Sequence, residues 1–176
     1  MHCIILANQE GTFPPALLPM KGRAVIDYLI DDVLLQKDIV TISILVSNQS
    51  LSLMTKHVKN AYPNDSIPII NTHTISSVMS QEGDVIILQG NVFTSLKLQD
   101  FIRSYKQFKT VTKATYDKQY PKEIPFTIVP KRYSGQIDRL PKDIEIHTYN
   151  CGTGYSYICH PELVSGSHRD AEINSA

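Results

Sequence analysis

The sequence has no surplus of charge: 17 Lys and Arg stand against 17 Asp and Glu. No run of five like charges occurs. This excludes a bulk electrostatic grip on nucleic acid or anionic membrane, and it excludes an acidic or basic tail. No apolar stretch approaches the ~18 residues that a membrane-spanning helix needs. The N-terminus lacks a cationic segment, and its apolar run from Cys3 to Ala7 is too short for a signal peptide. Cys3, Cys151 and Cys159 are odd in number and far apart, a poor disulfide framework. No CxxC or HxxxH spacing offers a zinc site. Reduced thiols in the cytoplasm are the expectation.

What is present suits one globular domain. The chain has 176 residues, 42% hydrophobic and 19% charged, enough to bury a core. Cys3 to Ala7 reads as a buried strand that breaks into a polar loop at 8–12. Pro14, Pro15 and Pro19 predict an extended stretch after it. Val25, Ile26, Leu29, Ile30, Val33 and Leu34 then form one apolar face of a helix, with Asp27, Asp31 and Asp32 off it. Thr41–Val46 is β-branched and apolar, so the first 46 residues read as a βαβ unit with parallel strands and a right-handed crossover.

A helix at 51–60 follows, then a short strand at 67–70 whose Pro68 marks an edge or a strand end, then a helical turn at 74–80. Val85–Leu88 reads as a buried strand ending at Gly90 and Asn91. A helix at about 98–107 presents Leu98, Phe101, Ile102 and Tyr105. From Val111 onward the helical period disappears. Short strands are expected at 111–116, 125–129, 144–147 and 155–159. The segment 161–176 reads as a disordered tail beyond a domain spanning 1–160.

The segments IILANQEGT (4–12) and ALLPMKGRAVIDYLID (16–31) resemble the opening of the sugar-phosphate nucleotidylyltransferases. That family opens as a strand, a loop, LLPxxG and a helix in this order. VIILQGN (85–91) resembles the strand that ends in the family's Gly-Asp metal site, and Asn150-Cys151-Gly152 its sugar-binding Asn-Ala-Gly element. The resemblance covers about residues 3–160. It implies an α/β, Rossmann-like nucleotidyltransferase fold with a mixed, mostly parallel twisted sheet and a β-rich C-terminal third.

The resemblance also implies partners and a site. An NTP would lie on Ala7, Asn8, Gln9, Glu10, Gly11 and Thr12, because a phosphate needs backbone N–H groups without side chains in the way. A sugar phosphate would meet Gly135, Asn150 and Gly152. Asn91 would stand where the family holds Mg²⁺.

The departures are chemical. Asn8 replaces a loop glycine and would crowd a phosphate. Phe13 and Pro15 replace an arginine and a lysine, and neither can carry positive charge. Lys21 is a nearby substitute only in sequence. Asn91 replaces the metal aspartate and contributes no negative charge, so Mg²⁺ should bind less well. Arg139-Leu140-Pro141 stands for the family's Glu-Lys-Pro. Family members usually continue well past the sugar-binding element, which predicts a C-terminally truncated, degenerate member. The tail segment 160–168 resembles peptides encoded by short palindromic repeats inserted in some bacterial genomes. A truncated sheet edge would favour homo- or hetero-oligomers.

Three readings follow: an enzyme with weak or lost turnover, a non-catalytic nucleotide-binding or subunit-interaction module (the product of a decaying gene among them), and an unrelated α/β protein with a chance LLPMKG match. Other constellations are weaker. His2, His57, His73, His147, His160 and His168 form no metal spacing. Ser165 with His168 lacks a strand-to-helix elbow. Cys151 with His147 needs an electropositive site to be reactive. Seven tyrosines in the second half have no basic groove beside them for stacking bases, so they read as strand packing.

Overall fold

The computed structural model describes residues 1–9, 13–72, 75, 83–116, 122–134, 136, 144–151 and 156–158. The order begins β1 (His2–Ala7), a 3-10 turn (Pro15–Leu17), β2 (Pro19–Met20), β3 (Arg23–Ala24), α1 (Val25–Leu34), β4 (Thr41–Val46), α2 (Leu51–Ala61) and β5 (Ile69–Asn71). It continues with β6 (Val85–Gln89), β7 (Val92–Thr94), α3 (Leu98–Phe108), β8 (Val111–Tyr116), β9 (Lys122–Val129), α4 (Lys131–Ser134), β10 (Ile146–Asn150) and β11 (Ser156–Ile158).

Seven strands form one sheet in the order β10-β8-β9-β6-β1-β4-β5. β1 pairs in parallel with β4 and β6, β4 with β5, and β10 with β8. β9 alone runs against its neighbours, β6 and β8. The expected α/β fold with a mixed, mostly parallel sheet is therefore what the chain forms. β1 is central, and Cys3, Ile4, Ile5 and Ala7 are fully buried, as a strand covered on both faces requires.

Apolar periodicity places the helices. α1 has the bounds its stripe predicts, and it buries Ile26 and Ile30 completely. Each such side chain stabilises the fold by about 1.5–3 kcal/mol. The face of α3 that packs down carries Leu98, Phe101, Ile102 and Tyr105. β5 lies at the sheet edge, as Pro68 indicated. Pro125 is tolerated because the β8–β9 register slips beside it, between Lys113 and Ala114.

Some features depart from the sequence reading. The proline-rich stretch is not wholly extended: Pro15–Leu17 closes a 3-10 turn, with Pro15 supplying a helix-compatible φ at its first position. β2 and β3 form a two-residue hairpin in which Lys21 and Gly22 have φ values of 49° and 82°, the positive pair that a type I′ turn needs. Asp27, off the apolar stripe, is nonetheless only 5% exposed. The helical turn expected at 74–80 and the tail at 161–176 lie outside the described residues. Among the described residues, no helix is long and apolar enough to cross a membrane.

Candidate functional site

The chain runs from β1 outward to β4 and β5, then returns so that β6 lies on the other side of β1. The strand order reverses at β1 and β6. Outside the carboxyl ends of two such strands an open α/β sheet leaves a ligand crevice.

Gly90 closes the β1–β6 contact at that end of the sheet. Its N–H donates to the Leu6 carbonyl at 2.7 Å, extending the β1–β6 ladder. A Cβ at Gly90 would stand 3.0 Å from the Leu6 oxygen and 3.2 Å from Ile5 Cγ2, so a larger residue here would push these neighbours by a few tenths of an ångström. The sequence signal for this role is a glycine at a strand end, which often marks close backbone approach.

Ala7 ends β1 and is buried. Asn8 and Gln9 follow, half-buried. Asn91 follows Gly90 and is only 3% exposed. The structure joins the two loops directly: Gln9 Nε2 donates to Asn91 Oδ1 at 3.2 Å. Gln9 Oε1 is buried and has no hydrogen-bond partner among the described residues. Glu10, Gly11, Thr12, Gly135 and Gly152 lie outside the described residues.

Asn150 ends β10, which runs in the same direction as β1 and β6. It therefore shares the carboxyl edge of the sheet with Ala7 and Asn91. Three strand spacings separate β10 from β6, about 14 Å. That span suits the two ends of a ligand longer than one nucleoside.

Among the described residues, the positions where the resemblance expects cations carry none. Phe13 is 40% exposed where the resemblance expects arginine. Pro15 is buried. Lys21 sits at the hairpin tip with Nζ 5.8 Å from the Phe93 ring centre, and Phe93 packs edge-on against Tyr28. Arg23 pairs with Asp31 at 2.7 Å. Among the described residues, no group of three His, Cys, Asp or Glu side chains could hold a metal ion. Gln9 and Asn91 offer neutral amides, and the Asn91 oxygen already accepts the Gln9 Nε2 hydrogen bond. These donors do not fit a resident Mg²⁺.

The two described thiols, Cys3 and Cys151, lie in surroundings that disfavour the thiolate; Cys159 lies outside the described residues. Burial pushes the Cys3 thiol far above its usual range and raises that of Cys151. His147 bonds Ser104 at 3.0 Å and stacks on Phe108. No activated Cys–His pair results.

No family model matches the sequence, and no curated protein matches it. Solved structures do. A CMP:2-keto-3-deoxy-manno-octonic acid synthetase complexed with CTP superposes with a TM-score of 0.68 at 11% identity, covering 92% of this chain and 94% of that one. HddC from Yersinia pseudotuberculosis, complexed with GMP-PN, gives 0.62 at 15% identity over 92% and 95%. A Bacillus anthracis protein named for glucose-1-phosphate thymidylyltransferase activity and crystallised with sucrose gives 0.65 at 13% identity over 88% and 87%. The chain has the fold of these nucleotidyltransferase structures. At such identities the likeness extends to the fold and no further.

Proposed function

We propose that the chain is a nucleotidyltransferase-like domain that binds a nucleotide at the carboxyl ends of β1 and β6. The observation that supports this is the strand-order reversal at β1 and β6, where open α/β sheets bind ligands, with Gln9 and Asn91 meeting beyond the two strand ends. Solved structures of this fold include complexes with CTP and GMP-PN.

On this reading the segment 7–12 holds the nucleotide by backbone N–H groups, and Asn150 with Gly152 and Gly135 faces a sugar 1-phosphate. The sugar-phosphate oxygen attacks the α-phosphorus, the bond to the β-phosphate oxygen breaks, and pyrophosphate leaves. Charge grows on the leaving group, and cations normally offset it. Phe13 and Pro15 offer none. Loss of one such group costs on the order of 10²–10³ in rate, and grouped losses do not simply add. Turnover on this reading is slow or absent.

A second reading, nucleotide binding without transfer, is favoured by the neutral Gln9–Asn91 pair where the resemblance expects a metal carboxylate. Calorimetric titration with each NTP, paired with a pyrophosphate-release assay over candidate sugar 1-phosphates, separates the two. Binding with release supports the enzyme, and binding without release supports the module. No binding by folded protein at millimolar nucleotide refutes both.

A further inference from the structure

We propose that this crevice holds its ligand without a divalent cation, and that the Gln9–Asn91 hydrogen bond occupies the place where a cation would sit. This rests on the nucleotide reading of the crevice, and it concerns a property that reading leaves open.

Hard divalent cations are held by carboxylates because anionic oxygens offset the cost of stripping water from the ion. The described side chains that meet beyond β1 and β6 are both neutral. Asn91 Oδ1 accepts the Gln9 Nε2 proton at 3.2 Å. A cation there would share the amide oxygen with that donor, and it would gain no negative charge in return. It would also have to move Asn91, which is 3% exposed and follows the tight β1–β6 contact at Gly90. Interiors resist such shifts because they are close-packed.

The pair leaves one need unmet. Gln9 Oε1 is a buried acceptor with no partner among the described residues, and leaving such a group unmet costs about 1–3 kcal/mol. One neutral oxygen falls well short of the roughly six ligands that Mg²⁺ demands. It suits a hydrogen-bond donor instead. A phosphate oxygen would be repelled, whereas a ribose hydroxyl or a base amino group would satisfy it. The crevice therefore grips the nucleoside part of a nucleotide, and it does so without metal.

Mn²⁺ is the probe, titrated into the whole chain without nucleotide and followed by electron paramagnetic resonance. Wild type is expected to hold no Mn²⁺ at millimolar concentration. Asn91→Asp, with folding checked by thermal melting, is expected to gain affinity by about tenfold or more, since ligand charge sets affinity in such sites. Wild-type binding as tight as that of the variant overturns the proposal, and so does a folded variant that gains nothing. If the variant fails to fold, the wild-type titration still decides. A nucleotide titration in EDTA and in Mg²⁺ supplies a second arm. Equal affinities support the proposal, and a tenfold gain with Mg²⁺ overturns it. Absence of all nucleotide binding sinks the nucleotide reading and leaves the Mn²⁺ result standing.

Discussion

His57 Nε2 lies 2.7 Å from Asp27 Oδ1 and ties α2 to α1 through a nearly buried carboxylate. The Tyr62 hydroxyl completes the join, shared between Asp31 Oδ1 at 2.9 Å and the Asp27 carbonyl at 3.1 Å. Burial first, then the Asp31 hydrogen bond, pushes the Tyr62 hydroxyl well above its usual range, so it stays protonated and donating. His57→Ala leaves a carboxylate with no ring partner. Urea denaturation should show a loss of about 1–3 kcal/mol. Adding Asp27→Leu should cost less than the two single losses summed, because the unpaired group is then gone.

Gly90→Ala tests the close β1–β6 contact at Gly90. Its Cβ would press on the Leu6 carbonyl at 3.0 Å, and that atom is backbone. Overpacking of this kind costs about 1–3 kcal/mol. A thermal melt should fall accordingly, and nucleotide binding should weaken with it. An unchanged melting temperature would show that the strands separate without cost.

Much of this architecture was legible from periodicity. The stripe from Val25 to Leu34 fixed α1, and β-branched runs fixed β4 and β8. β7 escaped because three residues carry no period, and its partner β11 is far along the chain. The hairpin escaped because Lys-Gly is not the usual Asn-Gly signal. Helical phase placed Asp27 off the apolar stripe but could not reveal its partner His57, which lies on another helix. In the site, Asn91 and Gln9 were visible singly, as departures from a family pattern. Their contact was not, since only the β1–β6 pairing brings them together.

Asp32 gives a pH dependence. Burial raises its carboxyl above the usual value, outweighing hydrogen bonds from the Leu98 N–H and the Gln36 side chain. Asp32 protonates more readily folded than unfolded. Its contribution is thus fully present below the unfolded value, near pH 4, and is lost as pH rises through the higher folded value. Asp32→Asn keeps an oxygen for Leu98 and cannot titrate. The difference in melting temperature, wild type minus variant, should fall as pH rises from 4 and then level off. A flat difference curve would mean that the carboxyl titrates alike in both states.

Lys21 pays for its place at the hairpin tip. At φ 49° a lysine is strained where asparagine is not, and its contact with Phe93 at 5.8 Å returns about 0.5–1 kcal/mol. Lys21→Asn should leave the melting temperature unchanged or raise it slightly. A clear fall would show that the cation–ring contact outweighs the turn.

Restoring charge at the crevice should succeed at one position and fail at the other. Phe13 is 40% exposed, so Phe13→Arg places its guanidinium in solvent near the loop without disturbing the core. A partly exposed ion pair with phosphate is worth up to about 1 kcal/mol, or about fivefold in affinity. The gain should shrink as salt rises. Pro15 is buried and starts the 3-10 turn that carries the fully buried Ala16. Pro15→Lys gives up a fixed φ and forces an ammonium toward the core, at a cost of about 1–3 kcal/mol. Melting curves and nucleotide titrations at two salt concentrations separate the cases. An affinity gain in Phe13→Arg that ignores salt would show that the new side chain acts through packing, not charge.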